Sequence, residues 1–146
     1  LGQQQLLLTI LVTIIVGIAT IVAINTFGDS LERQNIQSVR QDLFTIMVSS
    51  QGYYERPKIL GGGGESFQGI TFRDATFPSR GMSEAGFKAW NENGTYVITE
   101  TNDNDYLIKA YPVYDPLYDH DDPSNATNGT FIKAKVTREK IEWLNS

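Results

Sequence analysis

The first 28 residues carry no charge: every Asp, Glu, Lys and Arg of the chain lies at or after Asp29. Within that stretch Leu6 to Ile24 reads LLLTILVTIIVGIATIVAI, without a proline. About 19 residues at a rise of roughly 1.5 Å approach the thickness of a bilayer's hydrocarbon core. A backbone in lipid must satisfy its own polar groups, so this segment is a transmembrane-competent helix. A secretory signal peptide would need a positive n-region, a shorter apolar core and a small-residue cleavage site, and none is present. The chain opens on Leu1 rather than Met, so an earlier piece is expected to have been removed. Whole-chain averages hide all of this, since 40% apolar and 20% charged describe an ordinary soluble protein.

The apolar run has a weakly polar stripe. At 100° per residue Gly2, Gln5, Thr9, Thr13, Gly17, Thr20 and Ala23 fall within about a third of the circumference. Leu6, Val16 and Ile24 share that arc. Small residues on one face let helices approach closely, which makes the stripe a candidate helix-packing face. Thr and Gly are also simply common in membrane helices.

After Gly28 the pattern changes. Leu31, Ile36, Val39, Leu43, Ile46 and Met47 recur at three- and four-residue steps among polar positions such as Glu32, Arg33, Gln37, Arg40, Gln41 and Asp42, the signature of an amphipathic helix. Either Asp29 or Ser30 caps a new helix at Gly28, or one helix runs on to about Ser50 and ends near Gly52. The expected division is residues 1–52 helical, apolar over 1–28 and amphipathic over 29–52. Some 50 helical residues would be about 75 Å long, against a compact remainder some 30 Å across. The apolar half must then be buried by lipid or by copies of itself.

An uncharged apolar helix, an amphipathic continuation and a small β-rich remainder resemble a type IV pilin or pilin-like subunit. The resemblance rests on about the first 50 residues. It implies a leader clipped by a prepilin peptidase, a single-pass membrane stage, handling by inner-membrane assembly machinery, and polymerisation into a homopolymer whose core is the packed helices. The core-packing positions would be Leu1, Gln5, Thr9, Thr13, Gly17, Thr20 and Ala23. Two departures stand out. The family usually begins with an aromatic residue or Met, and here stands Leu1. It usually carries a glutamate where Gln5 stands, to pair with a neighbour's N-terminal amine. A neutral amide cannot form that ion pair but can still accept a hydrogen bond from an ammonium, and Gln3-Gln4-Gln5 could substitute a hydrogen-bonded cluster for it. In such filaments part of the helix often unwinds, and here loosening is expected at most around Gly17.

Residues 53–68 read as a Gly-rich flexible connection. Gly61 to Gly64 fail as a phosphate cradle, because Glu65-Ser66 supplies no Lys-Ser/Thr and no strand precedes. Residues 69–146 read as an antiparallel β-sheet head, making the fold class α+β. Expected strands are Ile70–Phe72, Phe87–Trp90, Tyr96–Thr101, Tyr106–Val113 and Phe131–Thr137, with turns at Asn91–Gly94 and Asn102–Asp105. One sheet face, including Tyr96, Ile98, Leu107, Ala110, Ile132, Ala134 and Val136, is expected to pack on Ile36, Val39, Leu43 and Ile46. Ile141 to Leu144 would cap the end.

The chemistry that composition permits is narrow. There is no Cys and a single His, His120, so thiolate sites, a Cys nucleophile and His-rich metal clusters are excluded. The net charge of −5 offers no basic footprint for nucleic acid. Asp115, Asp119, Asp121 and Asp122 are the weak calcium candidates. They lack D-x-D-x-D-G spacing, Pro123 sits where a ligand would fall, and a solvated acidic loop is the simpler reading. Asn93, Asn125 and Asn128 head three Asn-x-Thr sequons and are the glycosylation candidates. The aromatic residues read as core, with Tyr53, Tyr54, Tyr106, Tyr111, Tyr114 and Tyr118 partly exposed. No cofactor and no catalysis are expected. The leading expectation is a structural filament subunit on the cell surface. A pseudopilin or minor pilin of a secretion or DNA-uptake system, and a membrane-anchored extracytoplasmic binding domain, are the alternatives.

Overall fold

The computed structural model describes residues 2–115, 118–119, 121–122 and 131–145. The fold is α+β, one long N-terminal helix and a six-stranded antiparallel sheet. It divides into two compact units, residues 1–34 and 35–146.

Helix α1 is continuous over Gly2–Glu55. It has no break at Gly28 and no irregularity at Gly17, so the single-helix alternative is the correct one. The expected end near Gly52 is three residues short. The cause is the segment that follows, which extends and closes the last turn. After a 3-10 turn at Lys58–Leu60, the Gly63, Gly64 and Glu65 amides donate to the carbonyls of Tyr53 (2.9 Å), Arg56 (3.0 Å) and Tyr54 (2.8 Å). These are the carbonyls that a helix C-terminus otherwise leaves without partners. A Cβ at Gly62 would collide with the Arg56 carbonyl, and one at Gly63 with the Ser66 carbonyl and the Tyr53 ring. Close approach, more than freedom, explains these glycines, and the expected flexible connection is a fitted cap.

The second unit is built on a simple meander. Strands β1 (Gly81–Met82), β2 (Lys88–Trp90), β3 (Gly94–Thr101), β4 (Asp105–Pro112), β5 (Ile132–Thr137) and β6 (Ile141–Asn145) lie side by side in chain order, all antiparallel. The β2–β3 and β3–β4 turns fall where the sequence places them. Three expectations need correcting. The segment 70–72 is not a strand: Asp74 accepts from both the Thr71 N–H and its hydroxyl (3.1 Å each), turning the chain there instead. β1 was not anticipated, being only two residues long. Ile141 to Leu144 do not merely cap the end but form most of an edge strand.

Rows of paired residues make the inner face of the sheet: Ala89, Tyr96, Ala110 and Ile132 in one, Ile98, Ile108 and Ala134 in the next, then Tyr106 and Val136. They form one core with Val39, Leu43, Ile46 and Met47 of α1, joined by Phe67, Ile70, Phe72, Ala75 and Phe77 from the irregular segment. Each buried Val, Leu, Ile, Phe or Met among them contributes about 1.5–3 kcal/mol by leaving water. Leu107 is not on this face. It stands three positions before Ala110, an odd offset that strand alternation puts on the opposite side; Tyr106, Ile108 and Ala110 point inward. Tyr54 and Tyr106 are buried as well, packed at a tilt against Phe67 with ring centroids 4.7 and 5.3 Å away, so neither is partly exposed as expected.

Candidate functional site

Two features lie outside ordinary core packing, one in each unit. In the first unit the large apolar residues from Leu6 to Phe27 are 49–65% exposed, on every side of the helix. The helix is long and apolar enough to cross a membrane. An apolar segment left in water would forfeit the hydrophobic gain that drives folding, so it needs an apolar surrounding.

The stripe residues are described from Gly2 onward; Leu1 lies outside the described residues. Thr9, Thr13 and Thr20 turn their hydroxyls back onto the carbonyls of Gln5 (2.8 Å), Thr9 (2.7 Å) and Val16 (2.7 Å). Each hydroxyl proton is therefore satisfied inside its own helix, as an apolar surrounding demands. What these threonines offer outward is chiefly methyl surface. A Cβ at Gly2 or Gly17 would meet nothing within 4 Å, and Ala23 is likewise exposed.

In the second unit a polar latch joins α1 to the β2–β3 hairpin. Asp42 Oδ2 accepts from Tyr96 Oη (2.6 Å), Asn93 Nδ2 (2.8 Å) and Asn91 Nδ2 (2.9 Å). Asn91 Oδ1 accepts the N–H groups of Asn93 (2.9 Å) and Gly94 (3.3 Å), folding the turn over itself. Asn91 first and Gly94 fourth is the sequence signature of a type I turn. Asn35 adds a second strap, donating to the Asn93 carbonyl (2.8 Å) and accepting from the Tyr114 N–H (3.3 Å). Burial and then the Asp42 carboxylate hold the Tyr96 hydroxyl far above its usual range, so it stays a donor at all ordinary pH. Deeper in the core Tyr106 Oη donates to Ser50 Oγ (2.8 Å), which donates to the Met47 carbonyl (2.8 Å). Burial likewise pushes the Tyr106 hydroxyl up, with the Ser50 hydrogen bond acting against it.

The latch lies beyond the expectations above, though the sequence carries a signal for it. Asp42 follows Val39 by three residues and precedes Ile46 by four, the spacing that places it beside the core positions.

The acidic candidates among the described residues differ in burial. Asp115 is buried, 6% exposed, while Asp119, Asp121 and Asp122 are exposed. Asp119 Oδ1 accepts the Asp121 N–H (2.9 Å), and the Asp121 carbonyl accepts from Lys88 Nζ (2.9 Å). Among the described residues no three His, Cys, Asp or Glu side chains are placed to hold a metal ion. His120 and the candidate glycosylation residues Asn125 and Asn128 lie outside the described residues. Asn93 lies inside them, and its Nδ2, the atom a glycan would occupy, is the one donated to Asp42. Compared with protein-family models, curated proteins and solved structures, the chain matches none.

Proposed function

We propose that this chain is the structural subunit of a type IV pilus-like filament, polymerising through its apolar N-terminal helix. The observation that carries the reading is the exposure, on every side of the helix, of the large apolar residues between Leu6 and Phe27. Lipid would cover them before assembly, and the same segments of neighbouring copies afterwards. A non-closing contact repeated from copy to copy produces an open fibre rather than a ring.

The second unit supports the reading through the outer side of α1. Between Gln37 and Gly52 the exposed positions are Gln37, Arg40, Gln41, Phe44, Thr45, Val48 and Gly52, and Arg40, at one edge of this face, is the single charge among them. A helix face destined for water normally collects charged residues. The partners this function requires are copies of the chain, a bilayer and the membrane-bound assembly apparatus; it requires no cofactor. The location is the cytoplasmic membrane before assembly and the cell surface after it.

Electron microscopy of material sheared from producing cells, with mass spectrometry of the same fraction, tests the proposal. Fibres composed of this chain are expected. Recovery solely as a detergent-extracted monomer would overturn it in favour of a membrane-anchored extracytoplasmic domain.

A further inference from the structure

Asn93 is bonded through its backbone and its side chain to three parts of the second unit. Its N–H donates to Asn91 Oδ1 (2.9 Å), its carbonyl accepts from the Val113 N–H (3.0 Å) and Asn35 Nδ2 (2.8 Å), and its Nδ2 donates to Asp42 (2.8 Å). The residue after it has to be glycine, because a Cβ at Gly94 would collide with the Tyr111 carbonyl. That packing constraint creates an Asn-Gly pair. In such a pair the following amide nitrogen carries no side chain beside it and reaches the asparagine Cγ with the least hindrance.

We infer that Asn93 is a latent deamidation site, held closed by Asp42, and that reaction there unlatches α1 from the β2–β3 hairpin. The Gly94 nitrogen bonds to Asn93 Cγ and loses its proton to solvent, while the Cγ–Nδ2 bond breaks and Nδ2 leaves as ammonia. Water opens the resulting five-membered imide at either carbonyl, leaving aspartate or isoaspartate at position 93. The net change consumes water, releases ammonia and involves no oxidant or reductant. In the folded unit both reacting groups are engaged elsewhere, Nδ2 with Asp42 and the Gly94 N–H with Asn91 Oδ1 at 3.3 Å. Once formed, the new carboxylate faces Asp42 as a second acceptor with like charge, where a donor had been. The inference rests on residues 35–146 alone and stands apart from the filament proposal.

The test uses the full chain in detergent micelles, incubated in mildly alkaline buffer with and without urea, with position 93 followed by peptide mapping. The native chain is expected to react at least about tenfold more slowly than the urea-unfolded chain. The variant D42N, which weakens a charge-assisted bond, is expected to react about tenfold faster than the native wild type. Equal rates for native and unfolded chains, or for D42N and wild type, would overturn the protective role. N93D mimics the product and is read by hydrogen exchange: amides from Val39 to Met47 are expected to exchange about tenfold faster. Adding D42N to N93D returns a donor opposite the new acceptor and is expected to restore protection. An N93D chain that exchanges like wild type, or that D42N does not rescue, would overturn the unlatching.

Discussion

Leu11 and Leu43 are the same residue type on the same helix, yet one is 53% exposed and the other 1%. Around Leu43 the neighbours are strands and aromatic rings of its own chain; Leu11 is left uncovered by the described residues. The first region keeps its helix because every backbone bond is local and its threonine hydroxyls are satisfied within the helix. The second keeps its helix because a sheet covers one side and because Asp42, Ser50 and Asn35 fix it in register. Helicity alone therefore says little about what a segment packs against. The difference lies in the chemistry around the helix rather than in the helix itself.

The largest separation between the regions should appear on truncating those two leucines. Leu43→Ala leaves a cavity and is expected to cost the second unit about 2–5 kcal/mol in a denaturant melt followed by tyrosine and tryptophan fluorescence. Leu11→Ala should leave that melt unchanged, and equal effects from both would erase the distinction. Next come the glycines. Gly63→Ala pushes a methyl into the Ser66 carbonyl and the Tyr53 ring and is expected to destabilise the second unit by about 1–3 kcal/mol. Gly17→Ala meets open space and is expected to strengthen the helix by up to about 1 kcal/mol, seen as raised helicity by circular dichroism in micelles. The smallest effect is alkaline. Tyr96 and Tyr106 hold their protons in the folded state beyond the usual value near 10, so their contribution is complete below that pH and declines as pH climbs past it. Tyr106→Phe should lessen this alkaline loss while lowering neutral stability by about 0.5–1.5 kcal/mol, the net worth of its bond to Ser50. Identical slopes for variant and wild type above pH 10 would contradict the assignment.

Periodicity made the helix, its two chemical halves, the hairpins and most of the inner sheet face legible from sequence. Val39, Leu43 and Ile46 were readable because helical spacing is unforgiving, and Tyr96 with Ile98 because strand alternation is. What escaped depended on contacts between distant residues. Gly62 and Gly63 looked like slack until the Arg56 and Tyr53 groups they pass became known. Thr71 lay in an apolar trio resembling a strand, and only its bonds to Asp74 reveal a turn. Asp42 counted as one more polar position on a helix, since nothing local announces that Asn91, Asn93 and Tyr96 return to it about 50 residues later. Leu107 is the milder case, an apolar residue that the alternation of its own strand turns away from the core.

The side-by-side order of the strands bears on how the molecule is made. A ribosome releases α1 first, while Ala134 and Val136, which help bury it, emerge some 90 residues afterwards. Each hairpin can close with its immediate predecessor as it appears, so pairing proceeds vectorially and needs no long-range search. The buried side of the amphipathic segment nonetheless stays uncovered throughout that interval, a window in which aggregation competes with folding.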